Sequence, residues 1–484
     1  MKQNIYLLRS GLGFMAALLF TTIPAETQIL DEGDTAPADI GSRLELFVDN
    51  FLIEELNNVQ LMLHKPKDEG PVLFYDKPWE GPFSGNTTVI KDGDLFRLYY
   101  KGWPQEIRNA NLETTCYAES RDGIHWTKPD LGLYTVQGTD QNNVVLADMY
   151  WVSFNISPFL DTREGVDPSE RYKALGGDFL GLYAFTSPDG IHWNLVSQDP
   201  VYIKGRHLDA QVSPFWSEEE QQYICYYRKW IRVDGKRYRT IGRTTSKDFI
   251  HWTHPVEMEY GDTPREQIAT TQTHPYFRAP HIYIALAARL RPEKQEKSLE
   301  EALRQNTDLT YSKEYSDGVL MSSRGGNRFD RTFMEPFIQS SPSNYPALNV
   351  VQTAREEMSL YVNQHYGEPN SRLQRYTLRL DGFASVHASG RGGEMITKPF
   401  RFTGKTLYLN YTTSRSGFIK VEILNPEGKI MKGFELEKTK ELTGDNIRKA
   451  VSWEESPYLA KLSGQAIRLR FVMKDADLYS LKFE

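Results

Sequence analysis

The stretch SRDGIHWTKP, residues 120–129, recurs along the chain as SPDGIHWNLV at 187–196 and SKDFIHWTHP at 246–255. A degenerate copy, SRGGNRFDRT, follows at 323–332, and RLDGFASV at 379–386 is a candidate fifth copy. Successive copies start 67, 59, 77 and 56 residues apart, an interval typical of propeller blades with long loops. This repeated motif therefore indicates the fold.

The motif itself is typical of a tight turn between two strands. Its Asp-Gly pair is a hairpin signal, because glycine tolerates positive φ and aspartate can accept hydrogen bonds from nearby backbone. A rival interpretation places the repeated histidines, His125, His192 and His251, in a shared site. Because every copy has the same kind of neighbours, we interpret them as turn residues at the rims of blades.

Segments around the motif are typical of short antiparallel strands. FRLYYKGW, TTCYAES, QYICYYRKW and IYIALAARL mix β-branched and aromatic residues between Gly, Asp and Pro. The copies predict five blades between about residues 44 and 395. Their inner strands are expected at GNTTVIKDG, FNISPFLD, DAQVSPFWSEE, TTQTHPYFRAP and NYPALNVVQT. Residues 43–66 are expected to form a strand pair that closes the ring on blade five, because a propeller must cover its open edges.

The last hundred residues have longer alternating strands and a hairpin signal, NPEG, at 425–428. They predict a compact β-sandwich from about 396 to 484. The expected fold class is therefore all-β: a five-bladed β-propeller followed by a C-terminal β-sandwich.

Composition excludes several classes of protein. With 57 basic and 64 acidic residues the formal net charge is −7, which gives no electrostatic footprint for nucleic acid. Aromatic residues make up 12% of the chain and suit stacking on sugar rings. We interpret Cys116 and Cys225 as buried apolar residues rather than a disulfide.

Residues 1–28 are typical of an export signal, with Lys2 and Arg9 before the apolar run GLGFMAALLF. The run is too short to span a membrane comfortably. We therefore expect a soluble periplasmic or secreted protein.

Five blades, S-x-D-G-x-x-W turns and an export signal resemble the five-bladed propeller glycosidases, in particular the invertase-like superfamily of glycoside hydrolase families 32 and 43. PVLFYDKPWEG, residues 71–81, is comparable to a segment of phosphorylase family 130. Residues 46–54, 275–290 and 359–383 look similar to an uncharacterised bacterial branch labelled family-32-like. The resemblance covers nearly the whole chain after the signal and implies a propeller that acts on carbohydrate.

The catalytic residues of that superfamily do not carry over. Its W-M-N-D-P-N-G, R-D-P and E-C motifs are absent, and FSGNTTVI places Asn86 where an aspartate base would be expected. The resemblance therefore implies a fold and a superfamily rather than a set of site residues.

Glycoside hydrolysis usually needs two carboxyl groups across the scissile bond. Asp209, which opens an inner strand beside Arg206 and His207, is our candidate nucleophile or base. Glu266, ahead of the blade-four inner strand, is the candidate acid, and Glu335 is held in reserve. Each has an alternative role as a loop residue.

Candidate substrate contacts come from the segments that enter the blades and from aromatic residues. Asp49 is a further catalytic candidate whose alternative role is the end of a ring-closing strand, and Trp79 is a candidate stacking platform. The predicted contacts are Glu80, Asn86, Trp103, Arg278, His281, His365 and Tyr366.

No H-E-x-x-H, P-loop or G-x-S-x-G fingerprint is present, and no Cys/His cluster has the spacing of a metal site. We therefore expect no cofactor and no protein-bound metal. The predicted function is an exported glycoside hydrolase that removes terminal sugars, with furanosides favoured by the resemblance, from an oligosaccharide or polysaccharide. A non-catalytic glycan-binding propeller is the rival, motivated by Asn86. A polysaccharide lyase using Tyr366, His365 and Arg278 is a third alternative.

Overall fold

A computed structural model describes most of the chain, and its described parts are residues 36–104, 113–178, 181–202, 210–294, 315–342, 344–454 and 458–484, with the backbone of 27–29. The predicted export signal lies outside these residues apart from its last two positions. Within the described ranges, no helix is long and apolar enough to cross a membrane. Short 3₁₀ helices occur at Tyr150–Ser153, Pro168–Glu170, Leu436–Lys438 and Leu459–Leu462.

The structure is all-β, and five separate antiparallel sheets confirm the five predicted blades. In blades one to four the chain passes from an inner strand at the axis to an outer strand at the rim, whereas the outer strand of blade five comes from residues before blade one. The inner strands coincide with the predicted segments. Blade one consists of the strands Gly85–Asp92, Leu95–Gly102, Thr114–Ser120 and Val144–Leu146. Blade two consists of Ser157–Leu160, Tyr172–Asp178, Gly181–Ser187 and Asn194–Leu195. Blade three consists of Ser213–Ser217, Gln222–Val233, Lys236–Ser246 and Val256–Glu257.

Blades four and five each have an inner strand in two short pieces. Blade four consists of the strands Ile268–Thr270, Thr273–Tyr276, Ala279–Leu290, Tyr315–Ser323 and Ile338–Pro342. Blade five consists of Tyr345–Pro346, Val351–Ala354, Glu357–Gln364, Arg372–Arg379 and Lys67–Phe74.

The middle strands of the blades are covered on both faces by neighbouring blades. Leu98, Tyr99 and Tyr100 are consecutive and all are at most 1% exposed, which is why such strands are continuous apolar runs rather than alternating ones. Cys116 and Cys225, also in blade strands, are free and buried as predicted. Burial raises the pKa of both thiols well above the ordinary value.

The ring is closed by a different segment from the one predicted. Lys67–Phe74 forms the outer strand of blade five, paired antiparallel with Arg372–Arg379. Residues 43–66 instead contribute strands to a separate sheet with the C-terminal part of the chain. The prediction was wrong because a strand's own residues do not identify which distant strand it pairs with.

The repeated motif forms a turn between the third and outer strands, which confirms its structural interpretation. In the second copy, the Asp189 carboxylate accepts hydrogen bonds from the backbone N–H groups of Ile191 and His192, each at 2.9 Å. The His192 ring nitrogen Nδ1 lies 2.7 Å from the other carboxylate oxygen, and the Ser187 hydroxyl donates from 3.1 Å. The first and third copies repeat these contacts around Asp122 and Asp248.

Tyrosines of neighbouring blades hold these turns in place. The Tyr99 hydroxyl of blade one donates to the backbone carbonyl of Gly190 in blade two at 2.8 Å. The Tyr361 hydroxyl of blade five donates to Gly123 of blade one at 2.7 Å. The motif therefore joins adjacent blades, including the last to the first.

The eleven remaining strands form one sheet system that unites both ends of the chain. Its core contains apolar residues from both ends, such as Ile53 and Phe471. The candidate fifth motif copy leads from blade five into this sheet and is therefore no blade turn. The strands are Thr27–Ile29, Ala38–Gly41, Leu44–Leu46, Ile53–Asn57, Val59–Leu63, Ala384–Ala388, Gly393–Thr397, Phe400–Phe402, Leu407–Leu424, Asp445–Ala450 and Ala466–Phe483.

We predict that Gly190→Ala destabilises the propeller more than Gly138→Ala does. Both glycines have positive φ, +76° and +82°, so both substitutions strain the backbone. An added Cβ at Gly190 would lie 2.4 Å from the Tyr99 hydroxyl oxygen, whereas one at Gly138 meets nothing within 4 Å. Overpacking should make Gly190→Ala worse by about 1–3 kcal/mol in the free energy of unfolding. Urea titrations of the two variants measure the difference. Equal losses in the free energy of unfolding would contradict the close packing of the Tyr99 hydroxyl against Gly190.

We also predict a pH dependence at the second turn. Burial alone would raise the pKa of Asp189, but hydrogen bonds from His192 and Ile191 lower it to about 2. Because the folded pKa lies below the unfolded value near 3.9, this stabilisation is present above pH 4 and is lost as the pH falls towards 2. The difference in urea midpoint between wild type and Asp189→Asn should therefore shrink between pH 5 and pH 3. A difference that stays constant would refute the assignment.

Candidate active site

The two faces of the propeller follow from the strand order. Because neighbouring strands are antiparallel, the inner strands begin on the same face that carries the hairpins between second and third strands. We call this the front face. The repeated motif turns join third and outer strands and lie on the opposite, back face. The three repeated histidines are therefore remote from the openings of the inner strands.

Four of the five inner strands open on the front face with an amide side chain. These residues occupy the position next to, or two before, the start of regular pairing, and their side chains are neutral at every pH at which the protein is folded. The four are Asn86, Asn155, Gln211 and Gln272. Asn344, ahead of the blade-five inner strand, instead donates to the Gln339 carbonyl of the blade-four outer strand at 3.0 Å.

Several of these amides are bonded to one another across blades. The Asn86 amide donates to the side-chain oxygen of Asn155. Gln272 Nε2 donates to Gln211 Oε1 at 2.6 Å and to the Pro346 carbonyl at 3.0 Å. Gln211 in turn donates to the Thr88 hydroxyl at 2.9 Å. We call this set the amide belt; it links all five blades around the axis.

The buried His274 bonds to the backbone of Gln272, a member of the amide belt, and to that of Val350. Burial lowers the pKa of His274 to about 4, so its ring is neutral at pH 7. One ring nitrogen, Nδ1, lies 2.9 Å from the Gln272 carbonyl, and the other accepts from the Val350 backbone N–H at 3.1 Å. The inner strands of blades four and five are thereby held together directly behind the amides.

Beside the belt lies a cluster of aromatic rings around one lysine. The ammonium nitrogen of Lys101 is 4.8 Å from the ring centroid of Trp103, 5.2 Å from that of Phe154 and 5.5 Å from that of Tyr366. It donates to the Tyr366 hydroxyl at 3.3 Å. The rings of Phe83 and Tyr366 meet edge to face at 5.6 Å. Tyr366 and Phe83 are only half-buried, so the cluster reaches the surface.

A buried carboxylate joins the cluster to the belt. Glu113, which is 5% exposed, begins the third strand of blade one and accepts a hydrogen bond from the Asn155 backbone N–H at 3.1 Å. Asn155 contacts Asn86, and its neighbour Phe154 contacts Trp103. Blades one, two and five therefore meet here in what we call the front-face cluster: Asn86, Lys101, Trp103, Glu113, Phe154, Asn155 and Tyr366.

Three predicted substrate contacts, Asn86, Trp103 and Tyr366, are brought together in this cluster. His365 precedes Tyr366, and its ring nitrogen lies 3.2 Å from a carboxylate oxygen of Glu368. Lys101, Glu113 and Asn155 were missed. The signal that could have found Lys101 is a charged residue two positions before the tryptophan in LYYKGW, whose other residues are apolar, aromatic or glycine.

Glu80 lies at the start of blade one but faces the interior. Its side chain is fully buried, and one oxygen accepts from the Lys128 ammonium at 2.7 Å while the other accepts from the Tyr100 hydroxyl. Trp79 is buried too, and its indole N–H donates to Asn143 at 2.8 Å. Both residues stabilise blade one, and the substrate role of Glu80 stays a prediction.

Glu266 and Glu335 are not part of the front-face cluster: Glu266 lies just before the inner strand of blade four, and Glu335 lies just before its outer strand. One carboxylate oxygen of Glu266 accepts from Arg289, and the other accepts from Arg331 at 2.6 Å. Glu266 also lines a cavity of about 640 Å³ between blades three and four. Glu335 is exposed and follows Met334, whose carbonyl accepts from Arg289 at 2.9 Å. Their catalytic roles stay predictions, without support from these contacts.

Asp209 lies outside the described residues, as do Arg206 and His207. It precedes Gln211, a member of the amide belt, by two positions. Its catalytic role stays a prediction.

Arg278 and His281 lie at the contact between the propeller and the terminal sheet. Arg278 donates to the fully buried Asp381 at 2.7 Å, and Asp381 also accepts from the Tyr276 hydroxyl at 2.7 Å. Asn410 and Ser480 of the terminal sheet donate to the same carboxylate, each from 3.1 Å.

His281 belongs to a second buried group at this contact. Its Nε2 lies 3.0 Å from Glu45, and Arg324 donates to both Glu45 and Asp49 at 2.8 Å. Burial would raise the pKa of Glu45, but Arg324 and His281 together hold it below its usual value. The substrate-binding roles of Arg278 and His281 stay predictions, and in the structure both side chains contact buried carboxylates where the two parts of the fold meet.

Among the described residues, no group of three or more His, Cys, Asp or Glu side chains could hold a metal ion.

No known protein-family profile matches the chain. Two curated proteins of Mycobacterium tuberculosis, the uncharacterized protein Rv1502 of strain H37Rv and the uncharacterized protein MT1551 of strain CDC 1551, are each 26% identical over 181 residues. The match covers 36% of this chain and 52% of each relative, so it spans about half of their length.

Solved structures with a similar fold include carbohydrate-active proteins. A glycoside hydrolase matches with a TM-score of 0.43 and 11% identity, over 65% of this chain and 92% of that one. An N-acetylgalactosamine deacetylase from F. plautii matches at 0.41 and 12%, over 67% and 96%. An α-L-arabinofuranosidase from Fusarium graminearum matches at 0.40 and 12%, over 65% and 99%. At these TM-scores and identities the likeness assigns no function to this chain.

We predict that Arg278→Gln lowers stability without changing affinity for any glycan the protein binds. The substitution leaves the Asp381 carboxylate buried without its guanidinium partner. The free energy of unfolding should fall by roughly 2–3 kcal/mol. Arg391→Gln, at an exposed arginine of the terminal sheet, is the matched control. A variant of unchanged stability and weakened glycan affinity would restore Arg278 as a substrate contact.

Proposed function

We propose that the protein is a glycoside hydrolase whose active site is the front-face cluster. The observation that carries the proposal is the buried Glu113 carboxylate, placed beside amides and aromatic rings where the inner strands open. A hydrolase needs one carboxyl group shielded from water and held in a fixed orientation. The bond from the Asn155 backbone fixes one oxygen of Glu113 in this way.

The half-buried residues of the cluster suit the binding of a sugar. Tyr366 and Phe83 present ring surface against which the apolar face of a sugar can stack. Asn86 supplies an amide that can both donate to and accept from sugar hydroxyls. These three side chains are partly exposed, unlike Trp103 and Phe154, and are therefore the ones that contact a ligand first.

The second carboxyl group is proposed to be Asp209. Two carboxyl groups are needed, about 5–5.5 Å apart for retention of configuration or roughly 6.5–9.5 Å for inversion. Asp209 is two residues from Gln211, which bonds to Thr88 of blade one within the amide belt. Glu368 is the reserve for this role.

The finer parts of the proposal concern substrate and location. We propose that the enzyme removes terminal sugars, furanosides among them, from an oligosaccharide or polysaccharide. An export signal at residues 1–28 would place it in the periplasm or outside the cell. The final hundred residues would form a β-sandwich that packs on the propeller rather than binding sugar.

A non-catalytic glycan-binding protein is the second candidate, and the amide belt favours it. Four of the five inner strands open with a neutral amide rather than an acid, which suits hydrogen bonding to sugar hydroxyls without proton transfer.

Substitution of the two proposed carboxylates distinguishes the candidates. We expect wild type to release sugar from at least one member of a panel of aryl glycosides and plant oligosaccharides. Glu113→Gln and Asp209→Asn should each lower kcat by about 10²–10⁴-fold, because a group that transfers a proton is lost. The matched control, Glu164→Gln, changes an exposed carboxylate on the back face and should keep full activity.

Two results would count against this assignment. If both variants fold and keep wild-type activity, the catalytic residues are elsewhere. If wild type releases no sugar and is retained on a glycan array, the binding protein replaces the hydrolase.

A further inference from the structure

The front-face cluster contains a buried positive charge that the proposed hydrolysis does not use. Lys101, in the second strand of blade one, is 6% exposed. In the part of the chain that the structure describes, its ammonium group has no carboxylate within 4 Å and one hydrogen-bond partner, the Tyr366 hydroxyl. Other buried lysines of the propeller differ, since Lys128 contacts Glu80 at 2.7 Å and Lys173 contacts Asp161 at 3.1 Å.

Aromatic rings surround the ammonium group but do not neutralise it. Trp103, Phe154 and Tyr366 all lie within 5.5 Å by their ring centroids, and cation–π attraction offsets part of the cost of burial. A charge removed from water nevertheless favours an anionic partner. The lysine is therefore poised to bind an anion brought by a ligand.

Two further buried donors in the cluster have no acceptor among the described residues. They are the indole N–H of Trp103 and the side-chain amide nitrogen of Asn155. Buried polar groups without partners are rare in folded proteins and demand an explanation. Because both residues contact Phe154 or adjoin it in sequence, they lie in the same cluster as the ammonium group. Both of these groups are N–H donors, which suits an oxygen-rich anion.

We infer that the sugar recognised by the front-face cluster carries a negative charge, and that it is a uronic acid whose carboxylate pairs with Lys101. This inference rests on the proposed function of the same site and narrows its substrate class. A carboxylate offers two acceptor oxygens and no donor, which matches the ammonium and the unmet N–H groups. Sulfated sugars share this chemistry, so the test separates the two sources.

The test is calorimetric titration of the full chain with matched pairs of sugars that differ only at C6. The probes are galacturonate with galactose and glucuronate with glucose, as monosaccharides and short oligomers, and galactose 6-sulfate. We expect the uronate of one pair to bind at least about tenfold more tightly than its neutral partner, since a desolvated ion pair exceeds 1.4 kcal/mol.

Variants at Lys101 identify the group responsible. Lys101→Met has nearly the same volume without the charge and should abolish the preference for the uronate, while Lys101→Arg should retain it. Where Lys101→Met does not fold, Tyr366→Phe removes the hydroxyl that positions the ammonium and should reduce the preference. Thermal unfolding of each variant shows which ones are folded.

Each remaining outcome overturns a different claim. Equal affinity for uronate and neutral partner, with clear binding of both, overturns the inference and leaves the proposed function standing. Tighter binding of galactose 6-sulfate than of galacturonate overturns the choice of a carboxylate. A uronate preference that survives in folded Lys101→Met overturns the role of Lys101. Absence of binding and of hydrolysis for every probe overturns the proposed function together with the inference.

Discussion

The antiparallel pairing of Lys67–Phe74 with Arg372–Arg379 is the constraint on which the rest of the propeller depends. Five sheets arranged around an axis hold their positions only if the last is fixed against the first. Here the outer strand of blade five continues directly into the inner strand of blade one, so the covalent chain crosses the junction. The hydrogen bond from Tyr361 to Gly123 reinforces that junction at the back face. The front-face cluster takes side chains from blades one, two and five, and therefore exists only in the closed ring.

The number of blades could be predicted from sequence because the information is local. An aspartate that accepts two backbone N–H groups and a histidine that pairs with it lie within four residues, so the turn is recognisable wherever it recurs. The closing strand could not be predicted in this way. Residues 67–74 read KDEGPVLF and carry a weaker strand pattern than residues 43–66, and the partners of both segments lie some 300 residues away or more. Strand propensity predicts that a segment forms a β-strand, but it does not predict which other strand that segment pairs with.

The site was harder to predict than the fold, for a physical reason. Arg278 and His281 have the appearance of ligand contacts in sequence, since both are polar residues at the start of a strand. In the structure they contact carboxylates where the propeller meets the terminal sheet. Such buried polar contacts are built from the same residue types as a ligand-binding site, so the sequence does not distinguish the two. Lys101 and Glu113 were missed because each lies within a strand whose other residues are buried. Asn86, predicted from the resemblance, does lie at the axis, where its neighbours are amides as well.

The participation of residues 38–63 in the terminal sheet has a consequence for how the chain is made. Four strands between residues 38 and 63 await partners between residues 384 and 483, and the closing strand awaits residues 372–379. A ribosome adds about 5–20 residues per second, so these early strands spend tens of seconds without the edges that they will cover. The ring cannot close before residues 372–379 have been made, and the terminal sheet cannot be completed before residue 483. Until then the early strands form an intermediate with open sheet edges, the kind of surface on which strands of other chains can pair.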